Sequence, residues 1–159
     1  MKKITLLLVA LMLSFSLFAC EDNSEAAPEP EVTTEPQIEV SDPLICPEFT
    51  AEQKTSAMVD QIAFTAKDYA PSLTDEEASE IIDAIRTADH QFYNGPEEME
   101  KYMWYGYLLS YKYDDSNPRA KLGDDLCQAI KYVYRDAESV LDDSTRENLS
   151  QIDEDLAEI

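Results

Sequence analysis

Between about Pro47 and Ile159 the apolar residues recur every three or four positions. This spacing places them on one face of an α-helix, and that face must pack against another helix. Alternation of apolar and polar residues is absent, and the three glycines of the chain do not mark hairpins. The segment is long enough for one domain with a modest core. The sequence therefore predicts an all-α fold, a small five-helix bundle.

Turn and capping residues divide this segment into five helices. The first helix is expected over about 50–70, because Pro71 cannot continue it. Thr74 and Glu77 have the spacing of a capping box, in which each satisfies a free backbone N–H at the start of the second helix. The other predicted boundaries are the Asn94-Gly95-Pro96 turn before the third helix, the 114–118 turn before the fourth and a capping box at 144–147 before the fifth.

The first twenty residues follow a different pattern. A short basic start precedes an apolar run over residues 4–18, which ends at Ala19 and Cys20. This order is typical of a secretory signal peptide. The Leu-x-Ala-Cys motif at 17–20 resembles the lipobox of bacterial lipoproteins. The resemblance implies cleavage before Cys20, which would carry a diacylglyceryl thioether as the first mature residue.

A lipid on Cys20 predicts how the protein attaches to a membrane. Each buried CH₂ contributes about 0.8 kcal/mol, so two or more acyl chains hold a protein stably. No other stretch approaches the roughly 18 apolar residues that a membrane helix needs. The protein is therefore predicted to be anchored on the extracytoplasmic face of the cell membrane or outer membrane. An ordinary signal peptide and an uncleaved membrane anchor are the alternatives.

Residues 20–46 lack Lys, Arg, Gly and aromatic side chains, and they contain eight acidic residues and four prolines. Low hydrophobicity and charge of one sign do not offset the entropy lost on ordering, so a disordered tether is predicted. The predicted organisation is a cleaved signal peptide at 1–19, a lipidated acidic tether at 20–46 and a helical domain at 47–159.

The charge of the chain excludes several classes of function. Twelve Lys+Arg and 34 Asp+Glu give a formal net charge of −22, whereas nucleic-acid binding needs clustered basic residues. One histidine, His90, does not make a multi-histidine metal site, and it is interpreted as a structural residue near a helix end. Aspartates 114, 115, 124 and 125 fail as an EF-hand, because Arg119 replaces the required glycine. They are interpreted as a solvated acidic turn, and no metal or cofactor is predicted.

Two cysteines, Cys46 and Cys127, remain if Cys20 is lipidated. Outside the cytoplasm such a pair can form a disulfide, which would join the start of the domain to the fourth helix. Closing a loop of about 80 residues would add roughly 4 kcal/mol in the chain-entropy model. Two separate buried thiols are the alternative.

Six aromatic residues fall within residues 102–113, in the third helix. A helix that is apolar on all sides is usually central in a core. The alternative is that Trp104, Tyr107 and Tyr111, which share one face, form a recognition stripe for a protein or glycan partner. Gly106 lies on the opposite face, where it would let another helix approach closely.

The predicted function is that of a lipid-anchored, non-enzymatic interaction or envelope module. The alternative is a small cell-envelope hydrolase in which two carboxylates act as general acid and base. Acidic residues are so frequent that their spacing selects no pair, and no catalytic residue is assigned.

Overall fold

The structure, a computed structural model, describes residues 40–49, 56–135 and 143–159. Within these ranges it contains five α-helices, one 3₁₀ helix and no β-strand. The elements are α1 (Ser56–Tyr69), the 3₁₀ helix (Ala70–Ser72), α2 (Asp75–Ala88), α3 (Pro96–Lys112), α4 (Pro118–Arg135) and α5 (Asp143–Glu158). The predicted all-α five-helix bundle is confirmed. The signal peptide, Cys20 and residues 20–39 of the predicted tether lie outside the described residues.

The central element of the bundle is α3. It packs against α1 and α4, and α5 in turn packs onto α4. Seven residues of α3 are buried, among them Trp104, Leu108 and Leu109. Because apolar side chains project from nearly all sides of this helix, its burial is complete only when neighbours surround it. The central position expected for the aromatic helix is therefore confirmed.

Two glycines set the separation of α3 and α4. A Cβ added to Gly106 would lie 2.6 Å from Cys127 Sγ and 2.8 Å from the carbonyl oxygen of Gly123. A Cβ added to Gly123 would lie 2.7 Å from the backbone nitrogen of Ser110. Such contacts are too short, so only glycine allows the two backbones to come this close. The predicted role of Gly106 is confirmed, and that of Gly123 emerges from the structure.

The capping box predicted at the start of α2 is also confirmed. The Glu77 N–H donates to Thr74 Oγ1 at 3.2 Å, and the Thr74 N–H donates to Glu77 Oε2 at 2.7 Å. The Thr74 N–H and the Thr74 hydroxyl both donate to the Glu77 carboxylate, so they hold the pKa of Glu77 below its usual range.

The C-terminal end of α2 comes earlier than the apolar stripe implies. It stops at Ala88, since Asp89 adopts a left-handed φ of 46°.

We expect Thr74→Ala to lower the free energy of unfolding by about 1 kcal/mol, because the Glu77 N–H loses its acceptor. Thr74→Ser keeps the hydroxyl and is the matched control, which should retain most of the stability. Urea unfolding followed by far-ultraviolet circular dichroism measures both changes. Equal midpoints for Thr74→Ala and the parent would contradict an energetic role for this cap.

The folded domain begins earlier in the chain than predicted. Residues 40–46 fall in the predicted tether, but Val40, Leu44 and Cys46 pack against the hydrophobic core. The predicted boundary between residues 46 and 47 is therefore wrong. Eight acidic residues and four prolines dominate the composition of residues 20–46 as a whole. This average does not reveal the few apolar side chains near the end of the segment. We refer to residues 40–49 as the strap.

Candidate functional site

The predicted recognition stripe on α3 is divided between the core and the surface. Trp104 is 0% exposed, so it belongs to no surface and the prediction is wrong for this residue. Tyr107 is half-buried, and Tyr111 is 41% exposed. Only the two tyrosines are thus available to a partner.

The strap is what covers Trp104. The indole Nε1–H donates to the carbonyl oxygen of Pro43 at 2.9 Å, and the indole centroid lies 6.4 Å from that of Phe49. The neighbouring Tyr105 hydroxyl donates to the Leu44 carbonyl at 2.6 Å. A buried indole or phenol needs such an acceptor. Two consecutive residues of α3 therefore fasten two consecutive residues of the strap.

Tyr107 and Tyr111 form a stacked pair. Their ring centroids are 5.8 Å apart and their planes differ by 10°. The spacing of four residues places both side chains on one face of α3, where each ring restricts the other. Partial burial raises the pKa of both phenols, so their hydroxyls remain protonated at neutral pH. The pair is a rigid apolar area that carries two hydrogen-bonding groups.

Charged groups of the neighbouring helices surround this tyrosine pair. Asp60 of α1 and Arg135 at the end of α4 lie close enough for their charges to act on the Tyr107 hydroxyl. Asp124 of α4 acts in the same way on Tyr111. An aromatic centre with a polar, charged rim is the composition typical of protein interfaces.

Cys46 and Cys127 are free thiols, so the predicted disulfide is not formed. The Cys127 thiol is buried between α3 and α4 and donates to the Met103 carbonyl at 3.5 Å. The Cys46 thiol is directed instead at the Pro47 carbonyl, at 3.7 Å. Burial raises the pKa of both thiols, that of Cys46 to about 12. Both are protonated at neutral pH and poor nucleophiles. The alternative of two separate buried thiols holds for Cys127, whereas Cys46 is partly buried.

A pair of carboxyl groups lies between α4 and α5. The carboxyl group of Asp125 lies against that of Asp155, which is 3% exposed. Burial and the contact with Asp155 raise the pKa of Asp125 to about 6, and burial also raises the pKa of Asp155. While both groups are ionised neither can donate to the other, and Asp155 Oδ2 is buried without a partner. A proton on Asp125 would let its carboxyl group donate to Asp155.

The interpretation of Asp125 as part of a solvated turn is therefore wrong. Asp125 follows Leu122 by three residues, and Asp155 follows Ile152 by three, so both acids lie on the apolar stripes of their helices. An acid on such a stripe is the signal that could have identified the pair. Because α4 and α5 enclose Asp155, a substrate would have to separate the helices to reach it.

A surface pocket of about 180 Å³ lies at the α2 and α4 surfaces and the C-terminal residue. This volume is below the roughly 300–1,000 Å³ of most ligand sites. The guanidinium of Arg86, which lines the pocket, is already paired with Asp83 at 2.8 Å. We assign no ligand to this pocket.

The described residues contain no group of three or more His, Cys, Asp or Glu side chains placed to hold a metal ion. Among the helices that the structure describes, none has the length and apolar character needed to cross a bilayer.

Comparisons with protein-family models, curated proteins and solved structures found no match. Two features of this chain have contacts that suggest a function, the partly exposed tyrosine pair on α3 and the enclosed acid pair between α4 and α5.

Proposed function

We propose that the protein is a lipid-anchored, extracytoplasmic module that binds a protein or glycan partner through Tyr107 and Tyr111. The anchor is inferred from the Leu-x-Ala-Cys motif at 17–20, with the lipid on Cys20. The observation that carries the binding role is the stacked, partly exposed tyrosine pair.

The exposure of this pair is informative because the same helix buries its other aromatic residues. Tyr102, Trp104 and Tyr105 are each 4% exposed or less. Burial of aromatic area stabilises a fold by about 25 cal/mol per Å², so exposed rings forgo that stabilisation. Tyrosine is also enriched among the residues that dominate binding energy, since it offers a large rigid surface at low entropic cost.

The length of chain between Cys20 and the strap limits where a partner can lie. Twenty residues separate Cys20 from Val40, and a fully extended chain spans at most about 3.6 Å per residue. The domain would thus work within on the order of 70 Å of the membrane surface. A partner in the membrane or in the adjacent envelope layer fits this reach.

The hydrolase alternative receives less support. Its strongest carboxylates are Asp125 and Asp155, which the α4–α5 contact encloses. Glycoside hydrolysis requires two carboxyl groups that flank a substrate in a cleft. We therefore favour binding over hydrolysis.

The binding role is tested by Tyr111→Ala, with Tyr132→Ala as the matched control. Tyr132 is a 54% exposed tyrosine on α4, outside the stacked pair. Protein partners are measured by crosslinking in intact cells followed by pull-down, and glycan partners by retention on immobilised cell-wall material. We expect Tyr111→Ala to lose about tenfold or more in captured partner, because truncation of a central aromatic costs about 2 kcal/mol or more. Equal capture by the parent and both variants would contradict the proposal.

The anchor is tested separately by Cys20→Ser. This variant lacks the thiol that would carry the lipid, so we expect it to leave the membrane fraction and to incorporate no labelled fatty acid. Cys46→Ser removes a thiol from the strap and is the control, which should remain membrane-bound. Continued membrane attachment of Cys20→Ser would overturn the lipid anchor and leave the binding test unaffected.

A further inference from the structure

Few apolar contacts hold α5 to the rest of the bundle. Ile152 is its fully buried apolar residue, while Leu149 and Leu156 are partly buried. The sixteen residues of α5 contain six carboxyl groups and one arginine. An isolated helix of this length is marginal in water, so the polar contacts of α5 decide how firmly it is docked.

The first polar contact is the acid pair. Asp155 of α5 is almost wholly enclosed against Asp125 of α4. Two ionised carboxylates in this position repel each other and are poorly solvated, which opposes docking. A single shared proton replaces the repulsion with a hydrogen bond. Proton uptake and docking of α5 are therefore linked.

The second polar contact joins α5 to the turn after α2. His90 Nε2 lies 2.9 Å from Asp153 Oδ1. His90 is held in this turn with a left-handed φ of 64°, immediately after Asp89. The contact is an ion pair only when the imidazole is protonated. This contact ties α5 to an element other than α4.

The other groups that face the acid pair lie on α4 and α5. Asp124 of α4 and Glu158 of α5 favour protonation of the pair. Lys121 of α4 and the Gln151 amide of α5 favour the ionised form of Asp155. Burial is the largest influence on both aspartates, so both pKa values are raised despite Lys121 and Gln151.

We propose that α5 is a proton-operated latch, docked firmly on α4 when Asp125 and Asp155 share a proton, and loosely when they do not. The direction follows from linkage. The docked state binds more protons than a state in which α5 has left α4, because Asp125 and Asp155 would then titrate near their ordinary value of 3.8. Docking is therefore strong at acidic pH and weakens as the pH rises through about 6. The latch requires neither the lipid nor the partner of the proposed function.

Hydrogen–deuterium exchange of the full-length protein tests the latch in an acidic buffer (about pH 5) and a neutral buffer (about pH 7.5). Protection factors, corrected for intrinsic exchange, are compared between α5 and α3. We expect the protection factors of α5 to be about tenfold higher in the acidic buffer, with a smaller change in α3. A tenfold change corresponds to one unit of difference between the pH of the acidic buffer and the raised pKa of Asp125. Equal α5 protection in both buffers, or lower protection in the acidic one, would overturn the proposal.

Variants separate the latch from a general effect of charge. Asp155→Asn is uncharged and can donate to an ionised Asp125, so α5 should be protected in the neutral buffer about as well as the parent in the acidic one. Asp125→Asn, at a more exposed position, should act in the same way if Asp155→Asn folds poorly. Glu147→Gln removes one exposed carboxyl group from α5 and should keep the pH response of the parent. A full pH response in both asparagine variants would also refute the latch.

The contribution of the imidazole is measured with His90→Gln. This variant should lower the protection of α5, because Asp153 loses the imidazole that it contacts at 2.9 Å. Protection of α5 equal to that of the parent would overturn the assignment of this contact.

Discussion

Trp104→Ala is expected to destabilise the domain by about 4 kcal/mol, the largest effect of any substitution considered, because it removes a fully buried indole. The loss also leaves the Pro43 carbonyl without its donor and the strap without its main contact. Small domains are stable by only about 5–15 kcal/mol, so a sizeable unfolded fraction should appear at moderate temperature. Urea unfolding followed by far-ultraviolet circular dichroism measures the change.

Trp104→Phe separates the hydrogen bond from the packing. Phenylalanine keeps an aromatic ring in the core but has no N–H, so we expect a smaller loss, about 1–3 kcal/mol, with exchange protection lost mainly in the strap. In the parent, Trp104 is the sole tryptophan, and its fluorescence reports directly on this contact. A midpoint for Trp104→Ala close to that of the parent would show that the strap and indole contribute little.

Gly123→Ala is expected to lower the free energy of unfolding by about 2–3 kcal/mol through overpacking. Helix propensity alone would make the alanine variant more stable by about 1 kcal/mol. A loss of stability would therefore identify overpacking as the cause. The added Cβ would meet the backbone nitrogen of Ser110 at 2.7 Å and the carbonyl oxygen of Gly106. Because both atoms belong to the backbone, the helices must move apart.

Gly106→Ala is the control for this prediction. A Cβ on Gly106 meets the Cys127 Sγ at 2.6 Å, and a side chain can be shortened. In a Cys127→Ala background, Gly106→Ala should therefore cost less than in the parent, whereas the cost of Gly123→Ala should be unchanged. Urea midpoints of the single and double variants give the free energies of unfolding that this double-mutant cycle compares. A Gly123→Ala variant as stable as the parent would contradict the close approach of α3 and α4.

The local part of the fold could be predicted from the sequence. Apolar spacing predicted five helices, and Thr74 with Glu77 predicted the start of α2. Both signals depend on residues within a few positions of one another, as helix formation does. The position of Gly106 on one face of an aromatic helix was enough to predict a close neighbour.

The contacts that define the candidate site were not predictable in the same way. Trp104 meets Pro43 across 61 residues, and Asp125 meets Asp155 across 30. Helical periodicity groups Trp104 with Tyr107 and Tyr111, but it does not tell which part of that face another segment covers. The strap covers Trp104, but its apolar residues are not apparent in the average composition of the acidic segment. Register between distant elements is decided by packing and hydrogen bonding, which one sequence alone does not display.

The strap has a mechanical consequence. A pull on the chain before Val40 is carried through the strap to α3, because Trp104 and Tyr105 hold Pro43 and Leu44. Tyr107 and Tyr111 follow on the same helix within two turns. Load applied between the N-terminal side of the chain and a molecule held at these tyrosines would therefore pass through α3. Helix α5, which packs on α4, lies off this path.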